Sequence, residues 1–159
     1  MNKERIFSIY ANTMGFGFVV LSDRGEILDY GVVSVRPVCN DVCLKRIKEI
    51  ISYFQPEILI VEDYERSRKS VRVKNLIKKI CEYKQEGLKI FKYSRAQIRN
   101  TFDVFGARNK YEISKKISEI YPQLINKLPE KRRTWEPENY YQGIFDALSL
   151  IFTHNYLTN

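Results

Sequence analysis

A chain of 159 residues with 44% hydrophobic and 29% charged residues can bury a core without staples, which excludes a disulfide-held mini-protein and a disordered chain. Its 27 Lys and Arg against 19 Asp and Glu give a formal charge of +8, which favours a polyanionic partner, with nucleic acid the first candidate. The longest aliphatic run, Ile58-Leu59-Ile60-Val61, is far short of the ~20 residues that span a bilayer, and no signal-like apolar stretch follows Met1, so the expectation is a cytoplasmic protein without membrane contact.

The β-rich runs Arg5–Tyr10, Gly17–Leu21 and Glu26–Val35 are separated by Asn12 and Gly15 and then by the turn signal Ser22-Asp23-Arg24-Gly25. They predict an antiparallel three-strand meander that Pro37 ends. Leu44, Ile47, Ile50, Ile51 and Phe54 then mark one face of a helix, with Asn40 or Asp41 available to cap it. Glu57–Asp63 reads as a strand buried on both faces that ends in two carboxylates, as parallel central strands do. A second amphipathic helix carries Val73, Leu76, Ile77, Ile80 and Cys81, with Arg72, Lys74, Lys78 and Lys79 elsewhere on it. Gly87 is expected to close it, and Leu88–Phe91 supplies a fifth strand.

Ser94-Arg95-Ala96-Gln97 has the spacing of a capping box, so a short helix starts at Arg95 and ends near Gly106. Another runs from about Lys110 to Tyr121. A basic, proline-containing loop from about Leu128 to Pro137 precedes a last helix, from about Glu138 to Tyr156, with Ile144, Ala147, Leu148, Ile151 and Phe152 facing inward. The order gives an α/β fold: a mixed five-stranded sheet, antiparallel meander first and parallel strands after, flanked by helices. Residues 1–159 are expected to form one domain.

Three residues carry the candidate chemistry. Glu62 and Asp63 end the central strand, where open α/β sheets place ligand sites. Asp146 lies between apolar positions of the last helix, a costly place for an unpaired charge. If that helix crosses the sheet, Asp146 approaches Glu62, and facing carboxylates need a cation. Mg²⁺ suits such oxygen ligands, and a two-metal site would serve phosphodiester cleavage. The alternative is that Glu62 and Asp63 are surface residues and Asp146 pairs with a lysine. Cys39, Cys43 and Cys81 form no C-x-x-C pair, and His154 is the only histidine, so zinc is not expected and reduced thiols are.

Taken together, Ile6-Phe7-Ser8-Ile9-Tyr10-Ala11-Asn12-Thr13-Met14-Gly15-Phe16-Gly17-Phe18, Ile60-Val61-Glu62-Asp63-Tyr64 and Asp146-Ala147-Leu148-Ser149-Leu150-Ile151-Phe152-Thr153-His154 resemble the RuvC-type Holliday-junction resolvases of the RNase H-like superfamily. Ser94–Arg99 and Gly106–Ile113 resemble that family's basic DNA-contacting segments, with Arg99 and Lys110 matching its lysine pair. The resemblance implies an RNase H-like fold, a Mg²⁺-dependent junction endonuclease and a homodimer, with Glu62 and Asp146 as metal ligands. It also implies two further carboxylates that this chain lacks, since Tyr10 stands at the first-strand aspartate and Gly143 at the acid three residues before Asp146. A phenol, with a reference pKa of ~10, does not bridge two Mg²⁺ ions as a carboxylate does. Asp63 and Glu138 are the nearest substitutes, and neither falls on a motif position.

Basic residues cluster at Arg66, Arg68 and Lys69, at Arg95 and Arg99, at Arg108 and Lys110, and at Lys131-Arg132-Arg133. In such a fold several would line a phosphate-binding groove, with Tyr64 available to stack on an unpaired base. Three functions follow: a protein that binds branched or structured DNA with its metal site impaired at Tyr10 and Gly143; an active divergent Mg²⁺-dependent junction endonuclease using Glu62, Asp63 and Asp146; or a protein-interaction domain on the same fold.

Overall fold

The computed structural model describes residues 4–65, 67–133, 135–136 and 139–159. Five strands form one sheet: β1 (Ile6–Ala11), β2 (Gly15–Leu21), β3 (Ile27–Ser34), β4 (Ile58–Glu62) and β5 (Lys89–Tyr93). Their order is β3-β2-β1-β4-β5, antiparallel from β3 to β1 and parallel from β1 to β5. The expected mixed sheet, a meander followed by parallel strands, is the one observed. Helices α1 (Asn40–Phe54) and α2 (Val71–Glu82) cover one face; α3 (Arg95–Val104), α4 (Lys110–Ile120) and α5 (Gln142–Thr158) build the other.

Strand alternation divides the core in two. In β1, Phe7, Ile9 and Ala11 pack under α1 and α2 with Leu59 and Val61 of β4, while Tyr10 joins Ile58 and Ile60 on the side of α5. Ser8 faces α5 as well, donating its hydroxyl to the Ala147 carbonyl at 2.7 Å. That buried bond and the tight packing around it fix α5 across β1.

Local signals account for several boundaries. The Ser94 hydroxyl accepts from Gln97 N, and the Gln97 side chain accepts from Ser94 N, so the capping box forms as expected and α3 starts at Arg95. Asn109 caps α4 by accepting from Glu112 N.

Three expectations are corrected. Neither Asn40 nor Asp41 caps α1; Cys39 holds that position without a side-chain bond, because the Asn40 amide is spent on Arg72, accepting from its guanidinium and donating to its carbonyl. Gly87 does not close α2, which stops at Glu82; the glycine takes a positive φ in the turn before β5, where a side chain would be strained. The last helix begins at Gln142, and it buries every residue from Gln142 to Ile151 rather than one stripe. Its near-continuous apolar sequence suits a helix enclosed by the sheet on one side and by α3 and α4 on the other. Phe152 is only half-buried.

Near the end of α5, His154 is buried against Phe91, and its Nδ1 lies 2.6 Å from the Tyr93 hydroxyl. It is a packed histidine, not a surface one. Burial holds its pKa below the ordinary value, against a weaker opposing pull from Glu4. With the folded-state pKa depressed, the neutral ring's contribution is complete above the unfolded value of about 6.5 and is lost as pH falls through the folded value. Thermal melts should therefore show Tm falling from about pH 6.5 downward, and His154→Gln should fall less over that interval. Parallel curves for the two proteins would remove His154 as the titrating group.

Candidate functional site

The parallel pairing of Ser8 with Ile60, carried two residues on, brings Tyr10 level with Glu62 at the carboxyl ends of β1 and β4. Both side chains face α5, and Asp146 on that helix completes a buried group with them. Glu62 is 5% exposed and Asp146 4%, so each carboxylate needs a compensating charge or donors.

The structure supplies lysines. Lys69 Nζ lies 3.2 Å from Glu62 Oε2 and 3.5 Å from the centroid of the Tyr10 ring, and it donates to the Ala11 carbonyl. Lys110 Nζ lies 3.4 Å from Asp146 Oδ2 and 5.4 Å from the same ring centroid. The other Asp146 oxygen accepts from Gln142 Nε2 at 3.1 Å, and that amide also donates to Ser114. Tyr10 is thus an aromatic floor under two ammonium groups, a cation–π arrangement strengthened by burial. Burial pulls the Lys69 pKa down, and Glu62 and Asp146 oppose that pull.

These residues do not fit a divalent ion. Mg²⁺ demands near-octahedral oxygen ligation at about 2.0–2.1 Å. Two carboxylates here already face ammonium groups, and among the described residues no group of three or more His, Cys, Asp or Glu is placed to hold a metal. Glu62 Oε2 has Lys69 as its ion-pair partner but no well-directed hydrogen bond among the described residues.

Gly143 has a packing reason. The backbones of Gly143 and Gly17 of β2 touch, such that a Cβ on Gly17 would lie 2.3–2.5 Å from three Gly143 backbone atoms. A Cβ on Gly143 would meet Gly17 Cα at 3.0 Å and the Asn12 amide at 3.3 Å. A side chain at Gly143 is therefore tight, and Gly17 or the Asn12 amide must give by a few tenths of an ångström to admit it.

The other candidates are dispersed. Asp63 lies beyond β4, turns its Oδ1 to Glu65 N and sits within electrostatic reach of Cys81 on α2, away from the Tyr10 face. Tyr64 packs with the α1/α2 core, and Lys92 Nζ is 4.9 Å from its ring centroid. Arg68 and Arg99 are exposed, Arg95 is half-buried, and exposed Arg108 pairs with Asp103 at 3.6 Å. Arg66 and Glu138 lie outside the described residues.

Sequence reasoning missed Gln142, Ser114 and Arg72 as parts of the site, and counted Lys69 among the phosphate-binding cations rather than as a partner of Glu62. Gln142 sits four residues before Asp146, the spacing that puts two side chains on one helix face. Arg72 donates to the Asn12 carbonyl at 2.7 Å and fixes the turn after β1. A cleft of about 930 Å³ adjoins the site, lined by Lys110, Lys127, Lys131, Arg132, Arg133 and Gln142 among others.

No protein-family model and no curated protein matches the chain in sequence. Solved structures do match in shape. Thermus thermophilus RuvC superposes with a TM-score of 0.62 at 19% identity, over 97% of this chain and 95% of that one. The same protein in complex with a Holliday junction substrate gives 0.60 at 17%, over 97% and 94%. The yeast mitochondrial Holliday junction resolvase gives 0.61 at 12%, over 96% and 79%. The fold is RuvC-type. Within that fold the two glycines that touch are open to direct test. Gly17→Ala should cost about 3 kcal/mol or more in urea unfolding, and Gly143→Ala about 1–2 kcal/mol. Equal, negligible costs would show that α5 does not pack backbone to backbone on β2.

Proposed function

We propose that this chain is a single RuvC-like domain that binds branched or structured DNA and is related to Holliday-junction resolving endonucleases, with metal-dependent phosphodiester cleavage impaired at Tyr10 and Gly143. The observation that carries the reading is the set of side chains at the strand ends: a phenol and two lysine-bound carboxylates stand where a two-metal nuclease needs a cluster of oxygen ligands. Nucleic-acid binding draws support from the basic cleft beside that site, from the +8 formal charge, and from a structural neighbour captured with a Holliday junction. Lys131, Arg132 and Arg133 are exposed on that cleft, as counter-ion-releasing phosphate ligands must be. Arg108 and Arg99 are exposed cations of the same kind on neighbouring elements. In this reading the protein is a homodimer, since a four-way junction presents two-fold symmetric arms. No helix among the described residues is long and apolar enough to cross a membrane.

The test is binding of a four-way DNA junction against linear duplex across a salt series in EDTA. Junction binding should be tighter, and replacing Lys131, Arg132 and Arg133 with alanine should lower the salt slope by roughly one for each phosphate no longer neutralised. Cutting of the junction in Mg²⁺ or Mn²⁺ at about one per second or faster, abolished by Glu62→Gln, would replace the impaired-site reading with the divergent-endonuclease one. Absence of any nucleic-acid binding at low salt would leave the interaction-domain reading.

A further inference from the structure

Lys69 is unlike the chain's surface cations. Its side chain is only 19% exposed, whereas Arg46 and Glu49 in a solvated ion pair are each half exposed. Its ammonium group meets an acid from β4, a carbonyl from the end of β1 and the face of the Tyr10 ring. Three groups from two strands, β1 and β4, therefore converge on one cation. It also has no geometry for reaching outward to a phosphate, since its donors are committed inside the site.

We propose that the Lys69 ammonium is the resident cation of the strand-end site and occupies the place that a divalent ion takes in a carboxylate cluster. It neutralises Glu62, ties the end of β1 to the end of β4 and rests on the ring that stands where the resemblance implies an aspartate. Charge supports the assignment. Each buried carboxylate already faces an ammonium, Glu62 that of Lys69 and Asp146 that of Lys110. A divalent ion in that place would have to displace the ammonium from Glu62 and from the Ala11 carbonyl. The tyrosine belongs to the same exchange. An ammonium needs no third carboxylate, and an aromatic face offers it attraction without adding a negative charge. Lys69 is thus a structural cation that leaves DNA binding to other basic residues, and the fold it holds together is independent of metal. The proposal rests on the reading of the site as unable to ligate a metal, and it is independent of whether the chain binds DNA.

The experiment is thermal unfolding of the full chain without DNA, in EDTA and in millimolar Mg²⁺ or Mn²⁺. Wild type should show the same Tm in both. Lys69→Ala should unfold roughly 10 °C lower in EDTA, as expected for one charge of a buried pair left alone in a chain of this size, and should regain part of that loss in Mn²⁺. Lys69→Met combined with Glu62→Gln should be more stable than Lys69→Met alone, because the pair then goes together. That comparison and the wild-type metal series decide the matter if Lys69→Ala does not fold. A saturable rise of wild-type Tm with metal that Glu62→Gln removes would overturn the proposal. So would a Lys69→Ala protein with no metal response, or a double variant no more stable than Lys69→Met. Failure of junction binding with these results intact would overturn only the nucleic-acid reading.

Discussion

The contact between the Gly17 and Gly143 backbones decides where the chemistry of this chain lies. Side chains normally hold a helix about 10 Å from a sheet, and the glycine pair removes that spacer at one point. Helix α5 therefore enters the core with its first turns fully enclosed, and Asp146, nearly one turn past Gly143, is delivered beside the ends of β1 and β4. The Ser8–Ala147 hydrogen bond pins the following residue. The same closeness leaves a side chain at position 143 tight against Gly17 and the Asn12 amide.

Once Asp146 and Glu62 are buried together, their charge must be met, and lysine meets it differently from a metal. An ammonium is held by a covalent stem, so its place is set by folding rather than by the ion concentration outside. Breaking such a pair is strongly destabilising even though forming it gains little over an apolar replacement. The value of the arrangement is positional: Lys69 reaches from the segment after β4 to the last carbonyl of β1, while Arg72, three residues further on, takes the next carbonyl, that of Asn12. Together they clamp the β1 to β2 turn, whose Asn12 side chain already bonds Met14 N and Gly15 N.

Much of the scaffold was legible because its signals are local. Strand alternation, the Ser94 capping box and the buried run ending in Glu62 each depend on a few neighbouring residues, and each appears in the structure. The corrections fall where a local signal met a distant partner. Asn40 had the chemistry of a cap but bonds Arg72, which lies 32 residues away. Lys69 read as a phosphate-binding cation because nothing near it in sequence reveals that the chain after β4 turns it back over Tyr10. Asp63 is different, since strand alternation alone separates it from Glu62. Period two puts adjacent residues on opposite faces, so Asp63, offered with Glu62 for one site, turns instead toward Glu65 N and Cys81. The glycine at 143 was visible as a missing acid, but its reason lies in Gly17, which only the packing of α5 on β2 connects to it.

The acid site and the basic cleft are not separate features, because Lys110 and Gln142 belong to both. Lys110 is about one-third exposed, with its ammonium facing Asp146 on one side and the cleft on the other. On the proposed function, a polyanion entering the cleft would compete with Asp146 for that ammonium. Gln142 can hold one carboxylate oxygen while the competition proceeds, because its amide bond to Asp146 does not involve Lys110. Lys69 stays outside it, enclosed and committed to β1 and β4. The two lysines that flank Tyr10 therefore have different work. Lys69 neutralises Glu62 inside the core, whereas Lys110 meets Asp146 at the edge of the cleft.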